Sequence, residues 1–256
     1  MPHPWRAALG RGLVFALFLL VHLAVIIGFY PKFVEQQGAL LAIAKGLGKV
    51  FSQTAEISTK SEWGYMVSQQ FFKFSDTVGT FVAVLFAASA IASDASRRTL
   101  EIWLSQPIPR WRQVLERYVT GALSIVLPVV LTSMTAPAIG PMVGVEVSST
   151  VSLWFQAGLH ASAFLLVGYS LTFLISTRAE QVVRPVLGVA LGGAAAYAMY
   201  FVPVLTDYSP FRFADAETFL AIESAGLDLK LFGGLVAINL ALLAASIVSF
   251  QRRLPT

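Results

Sequence analysis

Residues 94–118 read DASRRTLEIWLSQPIPRWRQVLERY and separate two long hydrophobic runs of the chain. Leu100, Trp103 and Leu104 recur at positions i, i+3 and i+4, a spacing that places apolar side chains on one face of a helix. Thr99 is a residue type that caps helix N-termini, and the two prolines of the segment end such a helix. The sequence therefore predicts a short helix that lies at a membrane surface and offers one face to a partner.

The composition is typical of a membrane protein. Hydrophobic residues make up 56% of the chain and charged residues 12%, whereas soluble domains carry about a quarter charged residues. The absence of cysteine excludes disulfides, zinc–thiolate sites and cysteine nucleophiles. Nucleic acid is not an expected partner, because the basic residues lie at the edges of the hydrophobic runs. We therefore expect an all-α integral membrane protein surrounded by the lipid bilayer.

Six hydrophobic runs approach the ~20 residues that a helix needs to cross a ~30 Å hydrocarbon core. They cover residues 12–30, 77–93, 119–145, 151–175, 185–205 and 231–250. The third contains Pro128 and Pro137, which are tolerated where neighbouring groups satisfy the freed carbonyls. The sequence thus predicts six transmembrane helices in a single domain over residues 1–256.

The placement of the arginines predicts the orientation. If the six spans alternate, eleven of the twelve arginines lie on the side that holds both termini and the loops at 94–118 and 176–184. The six lysines and Arg212 lie on the opposite side. The positive-inside rule then places both termini in the cytoplasm of a multi-pass protein. Low lysine and high arginine and alanine usage favours a bacterial cytoplasmic (inner) membrane.

Two longer outer segments, 31–76 and 207–230, separate the spans on the other side. In the first, apolar residues from Leu40 to Phe51 predict an interfacial helix, followed by a polar stretch at 52–62. Aromatic residues from Trp63 to Phe74 then predict an aromatic belt. The second segment predicts a short helix pair. The glycines at 46 and 48 lack the spacing and the Ser/Thr of a P-loop, so we expect no ATP site of that kind.

The run TLEIWLSQPI at residues 99–108, with Arg110 after it, resembles the loop segment of ABC-2 type permeases of ATP-binding-cassette transporters. That family typically has Gly-Thr-Leu-Glu, an apolar pair, Ser, any residue, Pro, Val or Ile, Ser and Arg, and then Gly-Lys. The sequence departs from this pattern with Arg98 for the glycine, Pro109 for the serine, and Glu116 with Arg117 for Gly-Lys. The chain length and the six predicted spans agree with the family.

The resemblance implies a division of labour between subunits. A separate ATPase subunit would bind and hydrolyse ATP, and two permease chains would form the membrane pathway. The chain itself would then be neither an enzyme nor the holder of a cofactor. The segment at 99–106 would be the coupling helix that docks on the ATPase. The residues expected to carry this coupling are Arg97, Arg98, Thr99, Leu100, Glu101, Trp103, Leu104, Pro107 and Arg110.

Two histidines and one glycine pair lie inside the predicted spans. His22 and His160 are candidate intramembrane polar sites, because ionisable residues at that depth are often functional. A copper or haem pathway is one interpretation, and a hydrogen bond to a neighbouring helix is the other. Since nothing in the sequence brings the two together, we favour the second and expect no metal site. Gly188 and Gly192 have the spacing of a helix-packing pair, within one chain or between two.

Three functional hypotheses follow. The first is an ATPase-driven exporter, in which paired permease chains move an unidentified substrate outward. The second is a mechanotransmitting subunit that passes ATPase motion to an extracytoplasmic partner on residues 31–76 or 207–230, with no substrate moved. The third is an intramembrane enzyme, which we rank last because the acids lie mostly in loops or at span ends, as Asp76, Asp94, Glu146 and Asp207 do.

Overall fold

The computed structural model describes residues 4–47, 49–97, 99–100, 105 and 107–253. Within these ranges the regular structure is helical, with no strand. In chain order the elements are α1 (Pro4–Leu47), α2 (Lys49–Lys60), α3 (Glu62–Met66), a π-helix (Val67–Ser75), α4 (Val78–Ser96), α5 (Arg110–Met134), α6 (Ala136–Met142), α7 (Val151–Ser176), α8 (Val183–Tyr200), two 3₁₀ turns (Thr206–Tyr208 and Pro210–Ala214), α9 (Ala216–Ala225) and α10 (Leu229–Gln251).

The chain is an all-α membrane protein, as the sequence predicts. Among the described residues, five helical stretches are long and apolar enough to cross a membrane. They are Trp5–Leu47, Glu62–Ser96, Arg110–Met134, Val151–Ser176 and Leu229–Gln251. The remaining predicted span, 185–205, coincides with α8, an 18-residue helix that is not among the five.

The first helix is much longer than the first predicted span. It runs without a break through Pro31 to Leu47, a length of 44 residues, or about 66 Å at 1.5 Å per residue. The helix therefore continues well past residue 30, where the first predicted span ends, because hydropathy marks the end of an apolar run and not the end of a helix. The predicted interfacial helix is split between α1 and α2, and the predicted polar stretch at 52–62 is largely helical.

The predicted aromatic belt is buried inside the protein. Trp63 packs edge-on against Trp154 of α7 at a ring distance of 5.3 Å. Phe71, in the π-helix, stacks on Phe219 of α9 at 5.0 Å. Trp63, Phe71 and Phe72 are all buried. The predicted position at the membrane interface was wrong for these side chains. They pack inside the protein against aromatic residues from distant parts of the sequence, which the local pattern does not indicate.

The third predicted span has different ends. Its helix α5 begins at Arg110, inside the segment predicted to be a polar loop, and ends at Met134. Pro128 stays within α5, where the Thr132 hydroxyl donates to the Pro128 carbonyl at 2.6 Å. Pro137 cannot donate an N–H and falls in the first turn of the next helix, α6, so the chain breaks at Thr135. The span predicted for 119–145 is thus two helices.

The centre of the bundle is α7, which packs against α4, α5 and α10. Its side chains Trp154, Tyr169 and Phe173 are fully buried. Small residues allow the close approach that membrane helices need. A Cβ at Gly121 of α5 would overlap the hydroxyl of Tyr169 and lie 2.9 Å from its Cζ, so only glycine fits there.

Candidate functional site

Asp94, in the last turn of α4, contacts both the predicted coupling loop and α5. Its Oδ2 forms an ion pair with Arg117 Nη2 of α5. The Thr99 hydroxyl lies 3.3 Å from Asp94 Oδ1, and the Thr99 N–H donates to the Asp94 carbonyl at 2.9 Å. Arg117 also donates to the carbonyl of Ala90, one turn earlier in α4. We call Asp94, Thr99 and Arg117 the clasp, because these contacts hold α4, the loop and α5 together.

A second group of contacts ties the same side of the bundle to the end of the chain. Arg110 Nη1 donates to the carbonyls of Gln251 at 3.1 Å and Arg253 at 2.8 Å. Arg253 Nη1 in turn donates to the carbonyl of Thr177 at 2.7 Å, and the hydroxyls of Thr177 and Ser249 lie 2.9 Å apart. Both arginines thus cap helix C-termini, where the carbonyl groups carry partial negative charge.

We call Arg110, Thr177, Ser249 and Arg253 the helix-end network. Of its two arginines, Arg253 is buried, and desolvation lowers the pKa of the Arg253 guanidinium. The network joins the start of α5 to the ends of α7 and α10.

The predicted coupling residues divide into four groups. Arg97 and Pro107 are exposed and available to another molecule. Leu100 is only 7% exposed and belongs to the chain's own hydrophobic core, so it faces inward and not toward a partner. Arg110 and Thr99 bond within the chain, as described above. Arg98, Glu101, Trp103 and Leu104 lie outside the described residues.

The two candidate histidines have separate hydrogen-bond partners. His22 Nδ1 lies 2.9 Å from the Gln70 side-chain oxygen, and its ring stacks on Phe74 at 3.5 Å. His160 Nε2 lies 2.7 Å from the Phe213 carbonyl. In the part of the chain that the structure describes, no three His, Cys, Asp or Glu residues come together as metal ligands. The structure thus places each imidazole against a neighbouring segment and does not bring the two together.

The predicted glycine pair lies on the outer surface of α8. Outside α8 itself, no described residue comes within 4 Å of a Cβ built at Gly188 or Gly192. Both residues are exposed, as is Leu191 between them. The pair therefore packs no helix of its own chain among the described residues, and any close packing it provides involves another molecule.

Sequence reasoning missed a buried carboxyl group. Asp76 was assigned to a span end, but it is 0% exposed at the junction of the π-helix and α4. Neither of its oxygens has a hydrogen-bond partner among the described residues. The nearby Asp215 caps α9 and forms an ion pair with Arg212. The one signal in the sequence was an acid placed directly before an apolar run.

A polar network inside the bundle was also missed. The hydroxyls of Tyr118 and Ser170 lie 2.7 Å apart, and Ser170 donates to Asn239 Oδ1 at 2.8 Å. Asn239 Nδ2 donates back to the carbonyl of Ala163 at 3.0 Å. These residues belong to α5, α7 and α10, so the network fixes three helices where water is scarce. Only the tertiary arrangement brings them together.

Comparison with known families agrees with the helical architecture. Residues 9–253 match the family model described as ABC-2 family transporter protein. No curated protein matches the sequence.

Proposed function

The chain belongs to the ABC-2 family of transporter proteins, and from that premise we propose that two copies, or this chain and a related one, pair with a separate cytoplasmic ATPase to export a substrate. In this proposal the chain is the membrane permease, and ATP is bound and hydrolysed by the partner subunit. The helix α8 is the sixth span, both termini are cytoplasmic, and the protein resides in a bacterial cytoplasmic membrane.

The clasp is the observation that supports coupling most directly. A coupling element must pass a displacement of the ATPase to the spans without absorbing it. The ion pair between Asp94 and Arg117 is largely shielded from solvent, with side chains 23% and 11% exposed. A shielded pair of opposite charges resists separation more than an exposed pair does. A push on the loop is thus delivered to α4 and α5 together.

We propose that the ATPase docks on the solvent-exposed side of the loop. Arg97 and Pro107 are exposed there, on either side of the predicted coupling helix. Trp103 lies between them in the sequence, and tryptophan is a residue type enriched at the centres of protein interfaces. Leu100 is excluded from this surface by its burial.

The pairing of permease chains is proposed on the outward faces of α1 and α8. Leu13, Leu17 and Val21 are exposed along one side of α1. Gly188 and Gly192 are exposed on α8, where small residues allow close approach of another helix.

Co-purification with the ATPase tests this function. The tagged chain is isolated in mild detergent, and the bound ATPase and ATP hydrolysis are measured. We expect Trp103→Asp to lose both, because a carboxylate cannot replace the apolar anchor. Trp111→Asp serves as the matched control, since Trp111 is an exposed tryptophan at the start of α5. It should retain both.

The proposal fails if no ATPase accompanies the wild-type chain under conditions that preserve membrane complexes. If Trp103→Asp and Trp111→Asp lose bound ATPase and ATP hydrolysis equally, the ATPase does not dock specifically at Trp103, although it is still a partner of the chain.

One observation favours the mechanotransmitting alternative. The helix α1 is more than twice as long as a ~30 Å bilayer core, and its outer part packs with α2. Such an arm offers a surface to an extracytoplasmic partner. Cross-linking in intact cells from Gln53, an exposed residue of α2, would capture that partner, whereas an exporter without one would give only links between permease chains.

A further inference from the structure

A wide groove is lined by the second half of α1, by α2, by the π-helix and by residues at the end of α8. It is open on one side and has a volume of about 640 Å³, within the range of about 300–1,000 Å³ that is usual for ligand sites. Its walls are mainly aliphatic and aromatic. They include Phe33, Leu40, Ile43, Phe51, Phe72 and Phe201. We refer to this feature as the outer groove.

The apolar walls of the outer groove are exposed in several places. Ile43 and Leu47 are each 62% exposed, and Phe51 is 44% exposed. An exposed apolar surface of this kind is typical of a site that binds a membrane or a ligand.

One cation lies in the otherwise uncharged lining. Among the described residues that line the outer groove, Lys73 is the one with a charged side chain. Its Nζ donates to the Gln69 side-chain oxygen at 3.3 Å, one turn earlier in the π-helix. Lys73 is exposed, so its ammonium group retains donors for another molecule. The groove therefore combines long apolar walls with a single positive charge at one end.

The geometry points to a binding site for one anionic phospholipid from the outer leaflet. An acyl chain fits the apolar walls, and the phosphate of the head group meets the ammonium of Lys73. Charge complementarity favours an anionic over a zwitterionic lipid, and the surrounding bilayer supplies the ligand at high local concentration. The site requires only the groove and Lys73, so it does not depend on export of a substrate, whereas its assignment to the outer leaflet rests on the orientation in the proposed function.

Native mass spectrometry of the purified full chain tests the site. The protein is titrated with phosphatidylglycerol and, separately, with phosphatidylcholine, and the dissociation constant of the first bound lipid is measured. We expect the wild type to favour phosphatidylglycerol by about fivefold, the effect of one basic residue near an anionic lipid. Lys73→Gln should abolish that preference. Lys230→Gln is the matched control, because Lys230 is an exposed lysine at the outer end of α10 that does not line the groove.

A second variant tests the apolar walls. Ala55 of α2 lines the groove and is half-buried, so Ala55→Phe fills the space without disturbing the bundle core. It should weaken the first binding step of both lipids, while an unchanged size-exclusion profile shows that the chain is folded.

The proposal is overturned if Lys73→Gln keeps the preference, if Lys230→Gln loses it equally, or if Ala55→Phe binds both lipids as the wild type does. A change of oligomeric state in Ala55→Phe with normal lipid binding would instead identify a second copy of the chain as the occupant, which also overturns it.

Discussion

Tyr169 sets the spacing between two central helices through a single contact with a glycine. Its ring is fully buried and lies against Tyr118 and Phe173, and its hydroxyl donates to the Tyr118 carbonyl at 3.2 Å. The ring therefore has no room to move away from α5. The absence of a side chain at Gly121 is what allows α5 and α7 to approach each other.

Gly121→Ala is expected to destabilise the protein by about 1–3 kcal/mol, the usual cost of forcing an extra group into a packed core. The measurement is the midpoint of thermal unfolding in detergent. Gly234→Ala in α10 is the control, because no described residue outside its own helix lies within 4 Å of the new methyl group and alanine favours a helix. Equal stability of Gly121→Ala and the wild type would show that the two helices can separate at little cost.

Arg110 illustrates how a residue predicted for a partner can serve its own chain. Its two hydrogen bonds cap the last helix, and charge-assisted bonds of this kind contribute more than neutral ones. We expect Arg110→Gln to lower the protection of the last turn of α10 against amide hydrogen exchange by about tenfold, or roughly 1.4 kcal/mol. Arg112→Gln removes the same charge from an exposed neighbour on α5 and should leave that protection unchanged.

At the scale of elements, hydropathy predicts the helices whose ends coincide with the ends of apolar runs. The predicted spans 77–93, 151–175 and 231–250 correspond closely to α4 (Val78–Ser96), α7 (Val151–Ser176) and α10 (Leu229–Gln251). Hydropathy does not predict the end of a helix that continues past an apolar run, as α1 does after residue 30, since polar residues are also compatible with a helix. It also fails for the start of α5, which lies among arginines.

The candidate site was only partly predictable for a different reason. The run at 99–108 identified the loop, but the clasp depends on a side-chain pair from two helices, Asp94 and Arg117. The sequence indicated that both are charged and not that they meet. The burial of Leu100 likewise depends on the packing of the whole bundle and not on its position in an apolar face.

The clasp should behave as one energetic unit. If the chain couples to an ATPase as proposed, Asp94→Asn and Arg117→Gln are each expected to reduce the ATP hydrolysis of the complex, because either change releases α4, and the loop that follows it, from α5. The double variant should be little worse than either single variant, since both remove the same interaction. Additive losses would mean that the two residues act separately. Glu116→Gln, an exposed neighbour in α5, serves as the control.

At the scale of the whole molecule, the position of α8 decides the topology. If α8 crosses the membrane, six spans place both termini on one side. If it does not, the segments before and after it share a side. The chain has no cysteine, so single cysteines can be introduced on either side of α8 without background.

Tyr208→Cys is expected to react with a membrane-impermeant maleimide in intact cells, whereas Glu180→Cys should react only after permeabilisation. Both positions are exposed in the structure, so a lack of reaction reports the membrane barrier and not burial in the protein. Reaction of both residues from the same side would rule out the six-span arrangement.

The length of the uninterrupted first helix determines how far one of its ends moves when the helix tilts. A rod of about 66 Å that tilts by about 5° around one end moves its other end by about 6 Å. A helix with a flexible joint would lose such a movement at the joint. The first helix therefore has the mechanical character of a lever, in which a small angular change at one end becomes a displacement of molecular size at the other.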